Sequence, residues 1–254
     1  MLRVSRKMRE RRIERNEKIL IASFVAIVFV FACFAIYTND YYRADTDAID
    51  SFLPEVEENI EIRELNGGAT AYLPDEIVAG VIFYPETKVE ATAYVPLMRA
   101  LAEEGIAAVL VEMPFNMPKL KSTAANGIKE QLFFVEDWYI AGHGDGGKSA
   151  ASFLAKNAEG YKGLILMGAY TDKDLTNSGL KVLSIYGELD SILDQKKYHG
   201  SKDKLPEGYV EIVLEGANHS GFGMYGLQDT DSEATVTATR QIKQTVSAIV
   251  DFVK

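Results

Sequence analysis

At 254 residues, 47% of them apolar and 25% charged, the chain has a globular composition and enough apolar material for one substantial domain. Its single cysteine, Cys33, excludes an intrachain disulfide. The formal net charge of −10 hides an asymmetry: residues 1–18 carry +5 and the remainder −15, and so acidic a main body argues against nucleic acid as a partner.

The basic head (residues 1–18, with Arg3, Arg6, Lys7, Arg9, Arg11, Arg12, Arg15 and Lys18) abuts residues 19–37, an uncharged run of Phe, Val, Ile and Ala. Nineteen helical residues span roughly 28 Å, about one hydrocarbon core. Positive charge stays on the cytoplasmic side, so the reading is a transmembrane anchor with the rest of the chain at the cell membrane's outer, extracytoplasmic face. A cleaved signal peptide is the competing reading. The apolar run is long for one, and only Cys33-Phe34-Ala35 resembles a cleavage site. Lipidation of Cys33 is disfavoured by the bulky Phe31. Residues 38–54 form a juxtamembrane segment with one short helix that would stand the domain off the membrane, and Tyr41 and Tyr42 mark the interface.

The domain proper is assigned to residues 55–254. Residues 55–64 alternate Val56, Ile60 and Ile62 with acidic partners, as a half-exposed strand does, and Asn66-Gly67-Gly68 turns the chain into a second strand at 70–73. Strands are then predicted at 78–84, 106–111, 163–167, 182–186 and 210–214. Helices are predicted at 91–104, where Tyr94, Leu97, Met98 and Leu101 recur at three- and four-residue spacing, within 124–133, and at 236–253. Near-continuous apolar strands alternating with helices mean an α/β fold, a mostly parallel sheet with helices on both faces.

The stretch from Trp138 to Ser149 is the chemical centre of this order. A β-prone run feeds Gly142-His143-Gly144-Asp145-Gly146-Gly147 and opens into a helix. Two chemistries use a strand, a glycine bend and a helix. In a nucleophile elbow, Gly-x-Nu-x-Gly, Gly142 and Gly146 flank the nucleophile slot, which falls on Gly144 and so has no side chain. In a phosphate loop, Gly142, Gly147, Lys148 and Ser149 satisfy G-x-x-x-x-G-K-[ST], the mark of a nucleotide binder. Strand 163–167 ends in Gly168 with no Walker-B aspartate, which weighs against the nucleotide. Lys148 reads more simply as a first-turn residue pairing with Asp145.

Functional residues of an open α/β sheet collect on loops at the carboxyl ends of strands. Here those loops carry Glu86 and Thr87, then Asp190, then His219. Elbow, acid, histidine is the chain order of the α/β-hydrolases, whose histidine takes the nucleophile's proton while the acid orients it.

On these residues the chain resembles the bacterial α/β-hydrolase family 5, small proteins often anchored in membranes. The likeness runs from about Val78 to the C-terminus and rests on Ile82-Phe83-Tyr84-Pro85, Lys88-Val89-Glu90, Met113-Pro114-Phe115-Asn116, Gly142-His143, Gly146-Gly147, Leu183-Ser184-Ile185-Tyr186-Gly187, Asp190, Asn218-His219, Phe222-Gly223 and Tyr225-Gly226. It implies Asp190 as the triad acid, His219 as the base, an ester or amide substrate, and neither cofactor nor metal. The departures fall at the chemistry. Relatives read Gly-His-Ser-Leu-Gly-Gly where this chain has Gly144 and Asp145. They also carry a small residue after Tyr-Pro, where this chain has Glu86 and Thr87. Carboxylates at Asp145 and Glu86 are expected to oppose an oxyanion building in that loop. Two functions follow as expectations: a module impaired or silent in hydrolysis that keeps the pocket for a small molecule or peptide, or a hydrolase in which His219 activates water.

Overall fold

The computed structural model describes residues 2–53 and 60–254, with side chains from Glu14 onward, and divides the chain into two compact units, Met1–Asp40 and Tyr41–Lys254. The first unit is one helix, α1 (Leu2–Asn39). Its stretch Glu14–Asn39 is long and apolar enough to cross a membrane, and none of that apolar surface is buried. Phe24, Phe29 and Phe31 are each about two-thirds exposed. A helix this apolar on all sides is not the amphipathic helix of a soluble core.

The second unit holds one eight-stranded sheet in the order β1-β2-β4-β3-β5-β6-β7-β8. The strands are β1 (Ile60–Leu65), β2 (Ala69–Pro74), β3 (Ala79–Tyr84), β4 (Ile106–Val111), β5 (Trp138–His143), β6 (Gly163–Met167), β7 (Lys181–Gly187) and β8 (Val210–Leu214). β1 and β2 form the hairpin expected at Asn66-Gly67-Gly68, with Gly67 and Gly68 at positive φ, and β2 pairs antiparallel with β4. Every pairing from β4 to β8 is parallel. All residues of β3, β4, β5 and β6 are buried, which is why these strands read as unbroken apolar runs.

Alternate residues of these strands feed two cores. Val81, Phe83, Tyr139, Ala141, Ile165 and Met167 pack under α3 (Val95–Glu103) and α7 (Ala238–Val253). Ile82, Tyr84, Trp138, Ile140 and Leu164 pack with α5 (Asp145–Leu154) and α4 (Ile128–Gln131) on the other face. The expected helix at 91–104 begins as a 3₁₀ turn over Ala91–Tyr94 before α3, and Gly105, at φ 85°, follows its end. Thr237 caps α7 by accepting from the Arg240 amide, and Ile242, Val246 and Ile249 bury its apolar stripe. A further helix, α6 (Gln195–Ser201), lies between β7 and β8 where none was expected; Asp194 caps it by accepting from the Lys197 amide.

The short helix predicted between 38 and 54 exists as α2 (Thr46–Phe52) and belongs to the second unit. Ile49 enters the α3/α7 core, and Tyr42 pairs with the strand-end loop, its amide donating to the Lys88 carbonyl while its carbonyl accepts from Glu90. The strand expected over 55–64 is seen as β1 from Ile60; Val56 lies outside the described residues.

Candidate active site

The sheet order places β3 between β4 and β5, so the chain leaves β3 for one neighbour and returns later on the other. This is the switch point where an open α/β sheet presents a crevice. The loop after β3 and the bend after β5 therefore face each other, with Tyr84 paired to Gly142.

The bend is tight. β5 ends at His143, α5 starts at Asp145, and Gly144 alone joins them at φ 50°, ψ −115°, a strained conformation. Its flanking glycines are demanded by crowding. A Cβ on Gly142 would lie 2.5 Å from the Gly147 amide nitrogen, and one on Gly146 would overlap the Tyr84 and Pro85 carbonyl oxygens. With one residue between strand and helix, no loop remains to wrap a phosphate. Lys148 is committed instead, its Nζ 2.9 Å from Asp145 Oδ1 and over the Tyr170 ring. The letter-for-letter phosphate-loop match is thus an elbow in shape.

The space above Gly144 belongs to Glu86. A Cβ built on Gly144 would overlap Glu86 Oε2. That oxygen accepts from the Asp145 amide at 3.0 Å, and Oε1 accepts from the Thr87 amide at 2.5 Å. The two backbone donors that flank the bend thus converge on a carboxylate of the chain itself, as oxyanion-hole donors converge on a developing negative charge. Glu86 and Asp145, the two carboxylates expected to oppose an oxyanion, are held differently. Glu86 occupies the position, and Asp145 is bound by Lys148, by Lys119 at 3.1 Å and by the Thr87 hydroxyl at 3.1 Å. Burial works against ionising Asp145, but Lys148 and then Lys119 outweigh it and hold its pKa below the ordinary value.

Asp190 and His219 lie side by side. Asp190 Oδ2 is 2.9 Å from His219 Nδ1, and its Oδ1 accepts from the Ile192 and Leu193 amides at 3.0 and 2.8 Å. Gly168, at φ 52°, underlies the pair: a Cβ there would come within 2.8 Å of His219 Nδ1. The histidine loop is braced by buried Gln241, whose Nε2 donates to the Asn218 carbonyl at 2.7 Å. His219 Nε2 sits 3.4 Å from Glu86 Oε2, an ionic contact not aligned as a hydrogen bond. Burial would lower the pKa of His219, yet the carboxylates of Asp190 and then Glu86 more than offset it and push it up to about 9. At neutral pH this residue is an imidazolium between two carboxylates.

His143, known from the sequence only as part of the elbow motif, is fully buried beside the Asp190–His219 pair. Its ring lies 4.2 Å from that of His219, and its Nδ1 is 2.8 Å from the Tyr94 hydroxyl. Burial, and then the charge on His219, hold its pKa well below the ordinary value, so it is neutral. Tyr94 and His143 lie 49 residues apart, and no local pattern joins them. A cavity of about 310 Å³ opens over the site, lined by Glu86, Gly144, Lys148, Tyr170, Lys197 and His219 among others.

Sheet order, elbow and the placing of acid and histidine after β7 and β8 define an α/β-hydrolase fold. The chain belongs to the α/β-hydrolase family, whose model matches residues 80–243. Among solved structures it is similar to the dienelactone hydrolase of Anabaena variabilis, at 14% identity and a TM-score of 0.55, covering 78% of this chain and all of that one. It is also similar to TT1662 of Thermus thermophilus, at 16% identity and a TM-score of 0.52, covering 77% of this chain and 98% of that one. At such identities these two likenesses speak for the fold alone. No curated protein matches the chain.

Proposed function

We propose that this chain is a single-pass membrane protein whose extracytoplasmic α/β-hydrolase domain is silent in serine-type ester and amide hydrolysis and serves as a binding module. One observation carries the reading: the Glu86 carboxylate fills the space above Gly144 and takes the amide of Asp145. Serine hydrolysis needs a nucleophile, a neutral base and a free oxyanion hole. Gly144 supplies no hydroxyl, His219 carries a proton at pH 7, and the amides of Asp145 and Thr87 are engaged.

Hydrolysis of p-nitrophenyl acetate and butyrate by the full chain in detergent micelles at pH 7 is therefore expected to match that of its His219→Ala variant. Strong His219-dependent turnover at pH 7 would sink the silent reading. The second reading, water activated by His219, draws on the retained 2.9 Å pairing with Asp190. Because a base must be unprotonated, that activity would appear only as pH rises through about 9.

The membrane part of the proposal rests on the exposed apolar helix and the basic head before it. Protease added to intact cells stripped of their outer layers is expected to degrade residues 41–254. A protected domain would reverse the orientation, and a soluble mature form beginning near Ile36 would remove the anchor.

A further inference from the structure

Three side chains that can each ligate a metal converge at the bend. Glu86, His143 and His219 each offer a ligand atom, all within 4.8 Å of one another, and all three residues are buried. Both imidazoles have their Nδ1 engaged by a fixed partner, Tyr94 for His143 and Asp190 for His219. Both leave Nε2 buried and without a hydrogen bond among the described residues. His219 Nε2 meets Glu86 only in an unaligned 3.4 Å ionic contact, and His143 Nε2 has no hydrogen bond among the described residues. A buried nitrogen without one costs on the order of 1–3 kcal/mol, and two beside one carboxylate suit a shared partner.

Metal-binding histidines characteristically have one ring nitrogen held by a carboxylate, carbonyl or water, which sets the tautomer and aims the other at the ion. Here Asp190 and Tyr94 hold the rings, and the Thr87 amide steadies the free carboxylate oxygen Oε1. We propose that Glu86, His143 and His219 form a binding site for a divalent transition-metal ion, with His143 and His219 ligating through Nε2. This deepens the binding-module reading by naming a ligand for the pocket. Two nitrogens and one carboxylate oxygen suit zinc, cobalt or iron(II), and not calcium or magnesium, which favour all-oxygen shells. Bonds of about 2.0–2.1 Å put tetrahedral ligands roughly 3.4 Å apart, so the widest pair closes by about 1.4 Å on binding. Glu86 has the room to move, since its side chain lines the cavity. Binding exchanges the Nε2 proton of His219 for the ion. Gly144 fits the same reading, because any side chain there would displace the carboxylate ligand.

The test uses the full chain in micelles, stripped with EDTA and dialysed against zinc or cobalt(II). One equivalent of zinc is expected per chain, with a visible cobalt spectrum of low-symmetry, four-coordinate type. Glu86→Gln and His143→Gln should each weaken binding at least tenfold, while His199→Ala, at the only other histidine and an exposed one, leaves it unchanged. Should the His143 variant fail to fold, X-ray absorption on the unaltered zinc-loaded protein decides, with two imidazoles expected in the shell. Substoichiometric zinc, undiminished binding in Glu86→Gln, loss in His199→Ala, or fewer than two imidazoles would overturn the proposal. Esterase activity in the EDTA-stripped protein would instead sink the silent reading and leave the metal site standing.

Discussion

The double variant Glu86→Gly/Gly144→Ser is expected to hydrolyse p-nitrophenyl acetate at least about 10²-fold faster than the unaltered chain, while Gly144→Ser alone gains nothing. The two positions are one unit sterically, since a side chain on residue 144 and the Glu86 carboxylate claim the same volume. Serine alone would meet the carboxylate at a bend already strained at φ 50°, ψ −115°. Strain and overpacking together should cost it about 2–4 kcal/mol in stability. Removing Glu86 first clears the volume and frees the Asp145 and Thr87 amides for an oxyanion. It also takes away one of the two carboxylates that keep His219 protonated, so the base becomes available nearer neutral pH. Loss of a triad nucleophile typically costs about 10⁶-fold, so a hundredfold return is a partial restoration. Adding Asp145→Leu should contribute little, because that carboxylate is already neutralised by Lys148 and Lys119. Rates for the single, double and triple variants, each with and without His219→Ala, decide the matter. A folded double variant with no His219-dependent activity would mean that Asp190 and His219 now serve structure only.

Stability should fall as pH rises from about 6.5 through about 9, by on the order of 3 kcal/mol. The sign follows from His219. Its folded-state pKa, about 9, stands above the unfolded value, so the folded state holds the proton more tightly. The stabilisation is complete below the unfolded pKa of about 6.5 and is lost as pH climbs through the folded one. Its source is an imidazolium buried between Asp190 and Glu86. Denaturant unfolding in EDTA, with the protein in micelles, reads the effect. Trp138, the only tryptophan and 2% exposed, reports the second unit alone. The His219→Gln variant should lose this slope, and Glu86→Gln should lessen it. A slope unchanged in His219→Gln would show that other groups titrate in this window and that the imidazolium is not the source.

Residue order was enough for the frame. Strands β3 to β6 are buried on both faces, so they could be written only in apolar residues, and their alternation with helices declares a parallel sheet. Gly142 and Gly146 announce the elbow because the backbone itself fills the space where their side chains would be. The long helix, too, is plain in the uncharged run of 19–37. Asp190 and His219 could be paired from chain order alone, since consecutive strands bring their loops side by side.

The meaning of Gly144 could not be read that way. In the sequence it is a missing side chain, and Glu86, 58 residues earlier, is a carboxylate out of place. Only the lateral pairing of β3 with β5, at the register Tyr84 to Gly142, brings them to the same point. Strand adjacency is set by how the whole sheet packs, not by local periodicity, so no window on the chain contains it. The charge of His219 is decided the same way, by burial against two carboxylates drawn from different loops. The sequence alone determined that the centre of the glycine bend is Gly144, a residue with no side chain. The tertiary structure decided that the place is taken, because packing alone determines which distant charges share one buried volume.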